Sequence, residues 1–224
     1  MRLSIIMPTL AEAATIAATL TALQPLRAQG HEVIVVDGGS EDATLAIAQS
    51  LCDRTLVADA GRASQMNAGA REARGDILLF LHADTSLPAG ASADIDHAIA
   101  RGARWGRFDV TIDGRPRVLK LVACMMNWRS RWTGIATGDQ AIFVRRSAFD
   151  AAGGFPTIPL MEDVAMSKRL KSSAGRPACL RARVTTSGRR FEARGPWRTI
   201  FVMWRLRLAY AMGADPASLV RLYR

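Results

Sequence analysis

Carboxylates recur in this chain where apolar runs end: Asp37 after Glu32-Val-Ile-Val-Val, Asp84 after Asp76-Ile-Leu-Leu-Phe-Leu-His-Ala, and the pair Glu162-Asp163 after a turn-rich loop. Arg62 follows Gly61 at the head of another helix-forming stretch. An acid opposite a ribose or base edge, a cation opposite phosphate and an acid that holds a divalent metal together suit a nucleoside diphosphate. Asp163, placed beside the carbon under attack, would serve as general base for an incoming hydroxyl. Each group also has a plainer role. Acids after strands form turns, and Glu162-Asp163 suits the first turn of the helix read through Lys171.

The elements that must position these groups form a repeated pattern. Leu3-Ser-Ile-Ile-Met-Pro8, Glu32–Asp37 and residues 76–84 read as strands covered on both faces, because such strands are continuously apolar. Thr9 and Glu12 head an Ala-rich helical segment to about Arg27, and Asp37-Gly-Gly-Ser40 supplies two flexible glycines and a helix N-cap at Ser40. The alternation predicts a parallel sheet with helices on both faces and all strand exits on one edge, where open α/β sheets bind ligands. No Gly-x-Gly-x-x-Gly or Gly-Lys-Ser/Thr occurs, which disfavours nicotinamide dinucleotides and P-loop ATP binding.

The ordered set Met7-Pro-Thr, Val36-Asp-Gly-Gly-Ser40, Gly61-Arg-Ala, Leu81-His-Ala-Asp84 and Met161-Glu-Asp163 resembles the family 2 glycosyltransferases over roughly Arg2 to Arg190. The resemblance implies a GT-A-type, Rossmann-like α/β/α sandwich with a mostly parallel central sheet. It further implies that Thr9, Glu12, Asp37 and Gly38 line the nucleoside site and that Arg62 lies near the diphosphate. Asp84 would ligate Mn²⁺ or Mg²⁺. Glu162-Asp163 would be the acceptor-side acid pair, with Asp163 the base. Where the family carries Asp-x-Asp, His82 holds the first position. Two roles stay open for it: a metal ligand, which Mn²⁺ accepts more readily than Mg²⁺, or a hydrogen-bond partner of the nucleotide or a neighbouring acid.

Asp139 in Gly138-Asp-Gln140 resembles a family segment lining the acceptor side, a turn role being as plausible. Arg189 or Arg190, after Thr185-Thr-Ser-Gly, is a candidate to close over the diphosphate, a solvated surface position being the other role open to at least one of them. The Gln-x-x-Arg-Trp motif of processive members is absent, so long-polymer synthesis is not expected. The implied reaction is inverting, metal-assisted transfer of a sugar from a UDP- or GDP-sugar to a hydroxylated or lipid-linked acceptor. One alternative is a nucleotidyltransferase, which would show a Gly-rich activating loop where this chain has Met7-Pro-Thr-Leu-Ala-Glu12. The other is a noncatalytic nucleotide-sugar-binding module.

A chain of 224 residues fits one domain with an appendage: residues 1–190, divided into a nucleotide half (1–85) and an acceptor half (86–190), and a C-terminal helical appendage over 191–224. The formal charge of +10 comes almost wholly from arginine and attracts anionic partners. The arginines are dispersed and no nucleic-acid-binding signature accompanies them, so nucleic acid is not an expected partner. Cys52 and Cys124 fall in apolar stretches read as helical and are expected to be buried, reduced thiols, and Cys179 completes an odd set without metal spacing.

The chain enters a strand at once and has no apolar stretch long enough to span a bilayer, so a cytoplasmic protein is expected, one that can lie on the inner membrane face. Residues 117–132 form an apolar, helix-length segment ending in arginines and tryptophans. In the helix expected over 196–212, Trp197, Ile200, Phe201, Trp204, Leu208 and Ala211 share one face, with Val202, Met203, Leu206 and Tyr210 on the other. A helix apolar on two sides needs a second cover: lipid headgroups, a homodimer through residues 197–211, or the core itself.

Overall fold

A computed structural model describes residues 1–223. Its strands are β1 (Leu3–Thr9), β2 (Glu32–Asp37), β3 (Arg54–Val57), β4 (Ile77–Phe80), β5 (Thr85–Ser86), β6 (Trp105–Asp113), β7 (Ile142–Arg145) and β8 (Ala178–Ser187). They form one sheet in the order β3-β2-β1-β4-β7-β6-β8-β5. Helices α1 (Ile16–Ala22), α2 (Gln24–Ala28), α3 (Thr44–Gln49) and α4 (Arg62–Glu72) connect the first four strands. The remainder are α5 (Ala91–Ala100), α6 (Val118–Thr133), α7 (Arg146–Ala151), α8 (Glu162–Ala174), α9 (Arg189–Arg194), α10 (Pro196–Ala211) and α11 (Pro216–Tyr223), with a 3-10 turn at Gly138–Gln140.

Residue alternation builds the layers. Leu3, Ile5 and Met7 of β1 join Val33, Val35, Ile77 and Leu79 in a core beneath α1 and α5. Ile6, Ile34, Val36, Leu78 and Phe80 point the other way, against α4, α7 and α8. Both faces of β1, β2 and β4 are thus covered, which is why these strands read as unbroken apolar runs. A Cβ on Gly69 of α4 would stand 2.5 Å from Ile6 Cγ2. That close approach seats α4 on the sheet and brings its first residue, Arg62, to the strand exits.

The sheet is mixed. Strands β3, β2, β1 and β4 are parallel, but β7 runs antiparallel to both β4 and β6, and β5 runs antiparallel to β8. Ile142, the first residue of β7, pairs with Phe80, the last of β4. The chain therefore enters β7 from the Gly138–Gln140 turn at the site edge rather than through a crossover helix from the opposite edge.

Two local expectations are corrected. Ser40 is not a helix cap: α3 starts at Thr44, and Ser40 Oγ instead donates to Asp37 Oδ1 over 2.5 Å and accepts the Ala11 N–H over 2.9 Å. Cys52 is buried but follows α3 in a bend, whereas Cys124 lies on the outward face of α6 and is exposed; all three cysteines are free thiols. Only one side of α6 packs on β6, through Leu119 and Ala123. Among the described residues no helix is long and apolar enough to cross a membrane.

Candidate active site

The exits of β1 and β2 are locked together. Thr9 and Asp37 are paired in register, and the Gly38 N–H donates to the Thr9 carbonyl over 2.9 Å. The buried Asp37 carboxylate accepts the Gly39 and Ser40 N–H groups at 2.9 and 2.7 Å and the Thr9 and Ser40 hydroxyls at 3.3 and 2.5 Å. Four donors occupy the approximately four lone-pair directions of a carboxylate. Asp37 therefore shapes the 38–40 loop, and that loop, not the carboxylate, is the part turned outward. Gln65 of α4 completes the joint by donating to the Thr9 and Val36 carbonyls at 2.7 and 2.8 Å. It lies so close to Gly38 that a Cβ there would stand 3.1 Å from Gln65 Nε2.

A second group spans the ends of the chain. Arg189, at the start of α9, donates to Glu12 Oε1 and lies 3.4 Å from Asp84 Oδ2. Glu12 is held in turn by the Thr15 hydroxyl, 2.9 Å from Oε2. The guanidinium so joins an acid of the β1 exit loop to the acid that follows β4.

The third group lies across the β4–β7 boundary. Asp163 at the head of α8 accepts the Gly138 N–H at Oδ2 over 2.9 Å and the Val164 N–H at Oδ1 over 2.7 Å. Its neighbour Glu162 is buried in a small enclosed cavity with Met66, Phe80 and Phe155, 3.9 Å from Arg62 Nη1. That burial, reinforced by the charge of Asp163, pushes Glu162 up to about 7, with Arg62 opposing the rise. His82 Nδ1 lies 3.4 Å from Asp139 Oδ1. Partial burial works against the Asp139 charge, but the His82 hydrogen bond and the nearby charges of His82, Arg62 and Arg190 bring its pKa below the ordinary value. Arg190 belongs to the same field: burial and Arg62 lower its pKa, while Asp139 and Asp84 oppose.

The structure thus brings Arg62, His82, Asp139, Glu162, Asp163 and Arg190 into one neighbourhood, beside the Glu12–Arg189–Asp84 group. Thr9 and Asp37 stand behind, in the scaffold of the 38–40 loop. Sequence reasoning passed over Gln65, which carries no signal beyond its helical position. It also passed over Arg129 of α6 and Arg207 of α10, both of which lie within the field of Asp163. Nothing in the sequence sets them apart: α6 also carries Lys120 and Arg131, and α10 also carries Arg198 and Arg205.

Among the described residues no group of three or more His, Cys, Asp or Glu side chains is arranged to hold a metal ion. Divalent cations at diphosphate sites keep waters and take substrate oxygens, so one or two protein carboxylates suffice. Asp84, bound only loosely to Arg189, fits that donor set. His82 is turned to Asp139 and packed on Gly138, where an added Cβ would stand 2.5 Å from its Nε2.

The sequence model of glycosyl transferase family 2 matches residues 4–149. A curated relative from Mycobacterium tuberculosis, a PGL/p-HBAD biosynthesis glycosyltransferase, is 42% identical over 91 residues, which are 38% of this chain and 36% of the relative. The match thus spans about a third of that relative's length. Among solved structures, S. aureus TarS 1–349 in complex with UDP-GlcNAc aligns with a TM-score of 0.67 at 20% identity, over 84% of this chain and 58% of that one. The mannosyltransferase PcManGT from Pyrobaculum calidifontis, in complex with GDP-Man and Mn²⁺, aligns with a TM-score of 0.67 at 21% identity, over 99% of this chain and 68% of the other. At these identities the two structures show the fold, a GT-A-type α/β sandwich.

Proposed function

The chain belongs to the family 2 glycosyltransferases, and on that premise we propose that it transfers a sugar, with inversion, from a UDP- or GDP-sugar to an acceptor hydroxyl. The observation that carries this reading is the Asp163 carboxylate, fixed by two backbone N–H groups next to Arg62, His82 and a buried Glu162. A base oriented by the backbone is pre-positioned for one proton. Asp163 takes the proton of the acceptor hydroxyl as its oxygen attacks the anomeric carbon, and the bond to the nucleoside diphosphate breaks on the opposite face. One attack of this kind inverts the centre.

Glu162, with a pKa near neutrality, supplies a partly protonated neighbour that hydrogen-bonds the acceptor or shares a proton with Asp163. Arg62 and Arg190 face the leaving diphosphate, Arg189 closes over it from the Glu12 side, and the 38–40 loop with Thr9 behind it receives the nucleoside. Asp84 would hold Mn²⁺ or Mg²⁺, which when bound neutralises charge on the departing phosphates. The mannosyltransferase neighbour holds Mn²⁺ together with its GDP-sugar, which supports this assignment.

The acceptor side is flanked by apolar surface. Trp128 and Trp132 of α6 stack with ring centroids 5.4 Å apart, and Trp197, Phe201, Trp204 and Leu208 of α10 are all more than half exposed. Leu206 is fully buried on the opposite side of α10, with Val202, Met203 and Tyr210 packed around it, so the two apolar faces of the helix are divided as its wheel implies. Exposed tryptophans among arginines suit an anionic headgroup layer, and a lipid-linked acceptor would be drawn from there.

The test is a thermal-shift panel of UDP, GDP, UDP-GlcNAc and GDP-Man, with and without Mn²⁺. A metal-dependent rise in Tm with one nucleotide, lost in Asp84→Ala, is expected. No response to any nucleotide would overturn the reading.

A further inference from the structure

We propose that Arg129 and Arg207 form a subsite for a phosphoryl group carried by the acceptor, immediately beside Asp163. The inference deepens the glycosyl-transfer reading and rests on it for the word acceptor.

Arg129 leaves α6 toward the protein interior, and its Nε and Nη2 are buried without any hydrogen-bond partner. Buried donors are almost always satisfied, and leaving a charged one unsatisfied is costly. Neither Arg129 nor Arg207 takes part in an ion pair among the described residues. The nearby counter-charges are already engaged. Asp109 is shared between Arg107 and Arg131, with Oδ2 2.5 Å from Arg131 Nη2. Asp139 faces His82, and Asp163 accepts two backbone N–H groups.

Packing explains why two guanidinia sit together here. Leu206 of α10 lies in a small core with Met161 and Val164, the residues that bracket Glu162-Asp163. Ile135, just past α6, packs against the same cluster. Arg207, next to Leu206, and Arg129, one helical turn before the end of α6, therefore converge over the start of α8. Each feels the Asp163 charge, and burial lowers the pKa of both, Arg129 to about 10, where Arg207 is the next cause. Two largely desolvated cations next to a base, one of them with buried donors unfilled, are complementary to a phosphate, whose oxygens accept from both guanidinia. The hydroxyl to be glycosylated would then lie a few bonds from that phosphate.

The experiment measures Tm against inorganic phosphate at constant ionic strength for the wild-type chain, Arg129→Gln and Arg207→Gln, with UDP and GDP plus Mn²⁺ run in parallel. Binding of phosphate to the folded chain raises Tm with phosphate concentration. Each Gln variant is expected to lose at least half of that rise, to keep the nucleotide response, and to match or exceed the wild-type Tm without phosphate, because a like-charge pair has been relieved. Arg129→Lys and Arg207→Lys, which keep the charge, should retain part of the phosphate rise. If one Gln variant fails to fold, the other carries the same comparison.

Sedimentation with phosphatidylcholine vesicles, with and without phosphatidic acid, separates the sources. Arginine-dependent binding to phosphatidic acid vesicles without a response to free phosphate assigns a lipid headgroup, and a response to free phosphate assigns a soluble ester. Full phosphate and vesicle responses in both Gln variants, or no response in the wild type to either probe, overturns the subsite. A phosphate response that depends on Arg129 and Arg207, in a chain that ignores every nucleotide, would instead keep the subsite and remove the glycosyl-transfer reading.

Discussion

Gly138 and Asp163 are tied by a 2.9 Å hydrogen bond from the glycine N–H to Asp163 Oδ2. The turn that launches β7 thereby sets the orientation of the proposed base. The same glycine lies against the His82 ring, with positions for a Cβ only 2.5 Å from Nε2 and 2.6 Å from Cε1. His82 is in turn held by Asp139. Gly138→Ala is therefore expected to displace either the ring or the turn, destabilising the protein by about 1–3 kcal/mol and slowing donor turnover more than tenfold. Thermal unfolding and a nucleotide-release assay check both effects, and an unchanged Tm with unchanged turnover would show that the ring swings aside freely.

Glu162 ties stability to pH. Its folded pKa, about 7, lies above the ordinary 4.5, so the folded chain holds more protons than the unfolded one between those values. Stability attributable to this group is complete at low pH and is lost as pH rises toward and through about 7. Glu162→Gln should flatten Tm between about pH 5 and pH 8 and raise stability at the alkaline end by on the order of 1–3 kcal/mol. Equal slopes in both proteins would mean that Arg62 compensates the charge in full.

In the proposed site Arg189, 3.4 Å from Asp84 Oδ2, would compete with a cation for that carboxylate. Removing the guanidinium by Arg189→Gln is expected to strengthen binding of Mn²⁺ alone several-fold and to weaken nucleoside diphosphate binding about tenfold, a loss of about 1.4 kcal/mol. Titration calorimetry with the metal alone and then with UDP or GDP reads the two effects separately. Loss of both together would show Arg189 to be a structural tie between Glu12 and Asp84.

The exposed aromatic face of α6 and α10 gives a different expectation. Trp204→Ser, at a residue 63% exposed, should leave Tm nearly unchanged and reduce sedimentation with anionic vesicles several-fold. A wild-type chain that ignores vesicles and forms dimers by light scattering, dissociated by the same substitution, would assign this face to a second copy instead.

Much of the scaffold was legible because its signals are local. Buried strands β1, β2 and β4 show as unbroken apolar runs, and Arg62, Asp84 and Glu162-Asp163 stand at element boundaries that glycine, proline and polarity mark. The direction of β7 was not legible, since nothing in Ile142–Arg145 distinguishes a parallel from an antiparallel neighbour of β4. Pairings that depend on that topology were equally hidden. Arg189 and Glu12 lie 177 positions apart, and the His82–Asp139 contact exists only because β7 starts where β4 stops. Asp37 illustrates a different gap: its type and position suggest a ligand contact, but its four internal donors appear only in three dimensions.

The most direct test of the account is the rate of nucleoside diphosphate release from the donor sugar nucleotide by Asp163→Asn. The substitution keeps the size of the side chain but removes its basicity and one of its two acceptor oxygens, so one of the Gly138 and Val164 N–H groups loses its partner. A fall of roughly 10²- to 10⁴-fold in turnover is expected, with nucleotide affinity close to wild type and stability lowered by no more than about 1–3 kcal/mol, the cost of one unpaired donor. Turnover equal to wild type, with Asp84→Ala still abolishing nucleotide binding, would contradict it.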